Sequence, residues 1–473
     1  LCRARRGKQL PNCKIDKRVL NFYRSVGLDE VLELKHYIKE SVGSTYDKTQ
    51  YLPAIIQDDL AYSKFLNYFP KERIIDKESW SLTLDWLHEH LKPMGTVRTL
   101  KDGELVSNLV MGDLKGSCGY AFKGYKDKRD FIERSMSYYF REKLIFKTNP
   151  VALWNVFQKE ELREGAKVLD EPSTRIVWGS SMFLFIAQFQ LYHNLFKRFL
   201  EKRKKLWSSC GLDFCSMEYG QAMSVFKDQK VCSIDGTAFD ASMQQQDIVD
   251  LFEVWNSFIE NRDKNDEFYE TLSYIMSNEI YSVAILPCGG VAQKECGNPS
   301  GSYLTLIRNT CHNFRLYAYV FIESCKKENI VPSYSYFKRI QKALMNGDDC
   351  IINKTRFINW KTIKEHLSKF LKITSVSHEG SHNIPLEVAT YCGCTPVIIN
   401  GSIVPVRNSY KLLLSLLFMN ENDENLEQRV MGLMVANIND DLFVHTLSLF
   451  CRIHHFAMPN IGYLQSKYIY KQL

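Results

Sequence analysis

Two places in the sequence set carboxylates close to one another. Asn346-Gly347-Asp348-Asp349 lies between the apolar runs Ala343–Met345 and Cys350–Ile352, which predicts a hairpin with both aspartates at its tip. Like charges this near repel, so one takes up a proton or a cation binds between them. Oxygen-only ligands favour a hard ion, Mg2+, with Mn2+ able to substitute. Two such ions ~3.5–4 Å apart would clamp the attacking and leaving oxygens of a phosphoryl transfer. That arrangement needs a further carboxylate from another strand. Asp235, at the end of the short apolar run Val231–Ile234, supplies it. Asp235, Asp348 and Asp349 are therefore the candidate catalytic and metal-binding residues. Gly-Asp-Asp alone is also a common surface turn, so the reading depends on what accompanies it.

It is accompanied by an ordered set. Asp235-Gly236-Thr237-Ala238-Phe239-Asp240 comes first, then Gly297-Asn298-Pro299-Ser300-Gly301 with Thr305 and Asn309, then Gly347-Asp348-Asp349. These resemble motifs A, B and C of viral RNA-dependent RNA polymerases: D-x4-D, S-G-x3-T-x3-N and G-D-D. Upstream, Lys159-Glu160-Glu161-Leu162-Arg163, Lys167 and Thr174-Arg175 resemble motif F of picornavirus and calicivirus polymerases. Ser117-Cys118-Gly119 resembles motif G, with Ala121 where proline is usual. Tyr391-Cys392-Gly393 is similar to the motif E turn. The resemblance spans about Ser117 to Thr395 and points to the picornavirus-like group of positive-strand RNA viruses, with calicivirus-like and potyvirus-like motifs.

The resemblance implies a role for each motif. Asp240 would engage the ribose 2′-hydroxyl, hydrogen-bonded with Ser300 and Asn309, where DNA-making polymerases carry an aromatic blocker. Thr305 belongs to the same nucleotide-binding set. Gly301 would give the motif B loop backbone freedom. Lys159, Arg163, Lys167 and Arg175 would line the nucleotide channel, arginine meeting phosphate with a fork of donors. Ser117, Gly119, Gly301, Tyr391 and Cys392 would contact template and primer. Relatives often place a lysine in motif D as general acid. The closest position here holds His378, a residue type suited to that task near neutral pH, with Lys372 the alternative.

These residues need a frame. The family fold implied is α+β, a right hand of fingers, an antiparallel palm sheet and a small thumb. We expect fingers over 1–225, palm over 226–260, a fingers insertion over 261–285, palm again over 286–395, and thumb over 396–473. The spacing predicts a helix over 180–203 and another through Ile248, Leu251, Phe252, Trp255, Phe258 and Ile259. A further helix is predicted from Ser300 to Val320, just after Pro299. Motif D is predicted as a helix over 359–371 followed by a turn over 372–378.

Bulk properties are compatible with that frame. The chain has 473 residues, 45% hydrophobic and 24% charged, with 25 Tyr and 28 Phe, enough for a large core. A net charge of +7 fits a polyanionic partner, though many small-molecule enzymes are equally basic. The 14 cysteines show no zinc-site spacing and read as free buried thiols. No apolar run approaches the ~20 residues of a membrane span. The chain opens on Leu1 rather than Met, as a piece cut from a polyprotein would. Partners implied are an RNA template and primer, nucleoside triphosphates, a viral protein primer and other replicase proteins. The expected location is the host cytoplasm, at a membrane-associated replication complex. The rival readings are a reverse transcriptase and a palm that binds RNA without copying it.

Overall fold

The structure, a computed structural model, describes residues 14–28, 51–111, 114, 116–164, 168, 174–375, 384–419 and 426–466. Its centre is an antiparallel sheet in the order Lys372–Ser375, Lys230–Thr237, Asp349–Asn353, Ala343–Asn346, with Ile384–Pro385 also pairing to Lys230–Thr237. Side chains alternate across a strand, so a sheet covered on both faces must be apolar at successive positions. Cys232, Ala343, Met345, Cys350 and Ile352 join the main core on one face. Val231, Leu344 and Ile351 pack on the other, against Tyr219, Met223 and Leu386.

The main core is built around the helix Thr305–Lys327, in which every residue from Ile307 to Ile322 is buried. The sequence predicts a one-sided helix starting at Ser300. The structure starts it at Thr305 and buries it all round. Its polar residues must then be paired inside the protein. Arg308 meets Glu279 at 2.6 Å and Arg315 meets Asp250 at 3.0 Å. The helix Lys77–Leu91 crosses it, with Arg315 stacked 4.1 Å above the Trp80 ring and its Nε donating to Thr83 Oγ1.

The other predicted helices are present as Met182–Glu201, capped by Ser181, and Gln245–Ser257. The motif D helix is Trp360–Leu367, capped by Asn359. Lys372–Ser375, expected to begin a turn, is instead the edge strand beside Lys230–Thr237. A second sheet pairs Trp154–Gln158 with Ile176–Gly179 and continues through Val283–Ile285 and Val291–Gln293. A separate core near the C-terminus combines Leu413–Phe418, Val430, Leu447 and Phe450 with Val19, Phe22 and Tyr23 from near the N-terminus. Eleven described cysteines are free, and nine of those are buried, as expected; Cys288, in a disulfide, departs from that expectation. Among the described residues no helix is long and apolar enough to cross a membrane.

Candidate active site

Asn346 and Asp349 are Cα partners in the hairpin, so Gly347 and Asp348 form its turn. Gly347 has φ +65°, a conformation that favours glycine. The buried helix grips this turn. Asn313 Nδ2 donates to the carbonyls of Gly347 and Asp348 at 3.1 and 3.0 Å. Thr310 Oγ1 accepts the Gly347 N–H at 2.9 Å. Asp348 and Asp349 are both exposed.

Cys350 pairs with Ile234, and the same register carried one residue further sets Asp235 across from Asp349. Asp235 also pairs with Thr374, so it lies within the strand Lys230–Thr237 rather than at its end. The strands thus converge two adjoining exposed carboxylates and the Asp235 backbone at one sheet tip. Among the described side chains no cluster of three His, Cys, Asp or Glu residues forms a closed metal cage. The donor set offered is all oxygen, the chemistry that suits Mg2+ or Mn2+.

Asp240 follows the strand on a short helix after Ala238, which has φ +55°. Its Oδ1 accepts from Asn309 Nδ2 at 2.8 Å and from Asn298 Nδ2 at 3.2 Å. Burial pushes its carboxyl up to about 6. The amide donors of Asn309 and Asn298 pull it down, and the charge of Asp348 adds to the rise. The expected second partner was Ser300. That hydroxyl instead accepts the Trp178 N–H at 3.2 Å, and Asn298 takes its place on Asp240. Ser300 sits in the turn before the helix, where it meets the Ile176–Gly179 strand.

Gly301 is required here for a reason other than loop freedom. A Cβ on it would lie 1.6 Å from the Trp178 carbonyl oxygen, so no side chain fits. Thr305 Oγ1 donates to the Pro299 carbonyl at 2.9 Å and closes the turn.

The motif F residues are partly assembled. Lys159 Nζ lies 3.1 Å from Glu161, Arg175 NH1 lies 3.4 Å from the same carboxylate, and both cations are about half exposed. The Lys159 N–H donates to the Arg175 carbonyl. Burial, with Arg175 nearby, holds the half-buried Arg163 guanidinium below its ordinary value. Lys167 lies outside the described residues. In motif G, Ser117 Oγ accepts the Gly119 N–H at 3.2 Å. Gly119 has φ +90°, and a Cβ there would meet the Ser180 carbonyl at 2.5 Å.

Tyr391 and Cys394 close a turn through paired backbone bonds, with Cys392 and Gly393 at positive φ. Tyr391 is buried, its hydroxyl 2.5 Å from Ser209 Oγ. It anchors the turn from inside; of the expected template and primer contacts, Ser117 is exposed and Gly301 and Cys392 are partly so. Cys392 Sγ accepts from Asn346 Nδ2 at 3.4 Å, and burial, with the charge of Asp349, pushes its thiol up. His378 lies outside the described residues, and Lys372 contributes the first residue of the edge strand.

The sequence reading missed Asn298, Asn313, Thr310 and the Arg308–Glu279 pair. For Thr310 and Asn313 the available signal was their i, i+1 and i, i+4 spacing from Asn309 along the predicted helix.

An antiparallel palm with a carboxylate turn at its tip, enclosed by helices and backed by a small C-terminal core, is the right-hand polymerase fold. Residues 35–446 match the viral RNA-dependent RNA polymerase family, and the chain belongs to that family. By family and fold it is an RNA-dependent RNA polymerase of the positive-strand RNA virus type. The non-structural polyprotein 1AB of Turkey astrovirus 1 is 24% identical over 317 residues, covering 64% of this chain and 19% of that polyprotein. That of Avian nephritis virus 1 is 25% identical over 222 residues, covering 46% and 14%. The chain thus spans under a fifth of the length of these relatives. The Sicinivirus 3Dpol RNA-dependent RNA polymerase superposes with a TM-score of 0.71 at 15% identity, over 89% of this chain and 93% of that one.

Proposed function

We propose that this chain replicates and transcribes a viral RNA genome by two-metal-ion nucleotidyl transfer from ribonucleoside triphosphates. The observation that carries this is the strand register that sets Asp235 across from Asp349, beside a turn carrying Asp348. Asp235, Asp348 and Asp349 would hold two Mg2+ ions, or Mn2+ in their place. When bound, such ions acidify the primer 3′-hydroxyl and stabilise the pyrophosphate leaving group.

The chain's own residues bind and orient. Lys159, Arg163 and Arg175 attract the triphosphate, with Glu161 keeping Lys159 and Arg175 in place. Asp240 offers an acceptor to the ribose 2′-hydroxyl, the group that distinguishes RNA from DNA. This favours a ribonucleotide polymerase over a reverse transcriptase. Ser117, Gly119, Gly301 and Cys392 border the template and primer path; Lys167 is proposed as a phosphate contact, and His378, with Lys372 the alternative, as the general acid. That the relatives are polyproteins supports other replicase proteins as partners; a viral protein primer is a further proposed partner, resting on the motif resemblance alone. We place the work in the host cytoplasm, at a membrane-associated replication complex held by such partners.

The test is primer extension on a homopolymeric RNA template with Mg2+. The complementary ribonucleotide is incorporated, and a chelator or a non-complementary template abolishes it. Retained RNA binding with no incorporation under Mg2+ or Mn2+ would instead favour a palm that binds without copying.

A further inference from the structure

Asp240 and Asn309 are held by a residue outside the motif B signature positions. Asn298 is fully buried two residues before Ser300. Its Nδ2 donates to Asn309 Oδ1 at 2.8 Å and to Asp240 Oδ1 at 3.2 Å. Its Oδ1 accepts from Arg308 NH1 at 2.6 Å, and that nitrogen also meets Glu279 Oε2 at 2.6 Å. Arg308 and Glu279 have no exposed side-chain surface.

A guanidinium only donates hydrogen bonds. Arg308 therefore dictates which end of the Asn298 amide faces it, and the opposite end must present its donors to Asp240 and Asn309. The Asn309 amide is oriented in turn: its oxygen receives Asn298 and its nitrogen donates to Asp240 Oδ1 at 2.8 Å. The direction of both amides thus follows from one buried charge pair. The pair is itself braced. Gln188 Nε2 donates to Glu279 Oε1, and Gln188 Oε1 accepts the Tyr303 N–H at 3.1 Å. Lys294 Nζ donates to the carbonyls of Glu279 at 2.5 Å and Gly297 at 2.8 Å, holding the backbone just before Asn298.

We propose that Asn298, locked by the Arg308–Glu279 pair, is a positioning residue that sets discrimination between ribose and deoxyribose. This rests on the reading that Asp240 meets the ribose. Both amide donors fall on Oδ1 of Asp240, which leaves Oδ2 to accept from the 2′-hydroxyl. Without Asn298, one donor is lost from Oδ1 and the Asn309 amide loses the contact that orients it. The Asp240 carboxylate then turns about its last torsion, and the acceptor is no longer presented in one place. A ribonucleotide loses that contact; a deoxynucleotide never made it.

The test is single-nucleotide incorporation by the full chain on a primer–template with Mg2+. It reads kcat and KM for a ribonucleotide and its 2′-deoxy counterpart. In Asn298→Ala, kcat/KM for the ribonucleotide falls about ten-fold more than for the deoxynucleotide, the size expected when a buried polar contact to a substrate hydroxyl is lost. Arg308→Lys, which retains a donor toward Asn298 and a partner for Glu279, keeps part of the preference. If Asn298→Ala does not fold, Asn298→Asp gives the same readout, because it keeps the shape and the acceptor for Arg308 but lacks the donors. An equal loss for both nucleotides, or an unchanged ratio, overturns the proposal. A wild type that incorporates nucleotides without preferring ribonucleotides overturns the reading of Asp240 as well.

Discussion

Asp240 and Asp247 flank one short turn, and their charges are handled in opposite ways. Among the described residues Asp240 accepts from two side-chain amides, and burial leaves its carboxyl up at about 6. Asp247 is more deeply buried, and burial alone would raise it too. The Arg73 guanidinium overcomes that and holds it at about 2. Arg73 meets both Asp247 oxygens, at 2.9 and 3.2 Å, and also the Ser242 carbonyl at 2.8 Å. Trp80 Nε1 adds a bond at 3.1 Å. One carboxylate therefore fixes the segment that carries the other. A carboxyl lowered from 3.8 to about 2 contributes roughly 2 kcal/mol of stability above pH 4. The sign follows from the lowered value: the contribution is complete above the unfolded pKa and disappears as pH falls from about 4 to 2. Urea unfolding of wild type and Asp247→Asn across that range should show the wild-type advantage shrink by that amount. A gap that stays constant with pH would count against the pairing.

At the scale of elements, the Thr305–Lys327 helix positions the hairpin that carries Asp348 and Asp349. Two Asn313 bonds and one Thr310 bond hold the backbone of Gly347 and Asp348, while the side chains of Asp348 and Asp349 stay exposed. Misplacing reacting groups by a fraction of an ångström is expensive in rate. Asn313→Ala should therefore lower kcat by about ten-fold or more with KM for the nucleotide nearly unchanged. Steady-state incorporation measures this directly; a rise in KM at constant kcat would show that the turn is held by other means.

Much of this element was legible in the sequence. The hairpin could be read because apolar runs on both sides of Gly347 admit little else, and the spacing of Tyr303, Leu306, Ile307, Thr310, Phe314 and Tyr317 placed the long helix. The helix start was misread because Ser300 after Pro299 is a good capping signal, whereas its hydroxyl is taken by the Trp178 N–H across the molecule. The partner of Asp240 was misassigned for the same reason. Asn298 and Asp240 are 58 positions apart, and local periodicity says nothing about such a contact. The likeness to motif D puts a turn at residues 372–375, which become a strand where Lys230–Thr237 offers an edge.

Across the whole molecule, described segments near the two ends of the chain are joined. Lys14–Ile15 pairs with Phe418–Met419, Tyr23 donates to the Leu413 carbonyl at 2.9 Å, and Phe22 packs edge-on against Phe450. Near the channel residues, Tyr51–Pro53 pairs with Leu162–Glu164. N-terminal segments thus tie the motif F strand and the C-terminal core to a common frame around the palm. The α+β right-hand architecture was legible from the motifs. These ties were not, because they depend on partners more than a hundred residues away. All of this converges on a carboxylate turn at the tip of the palm. The most direct test compares wild type with Asp348→Asn in primer extension on an RNA template with Mg2+, with thermal unfolding and RNA binding as controls. The account predicts that the variant folds and binds RNA like wild type but loses ribonucleotide incorporation. Incorporation by Asp348→Asn at the wild-type rate would contradict it.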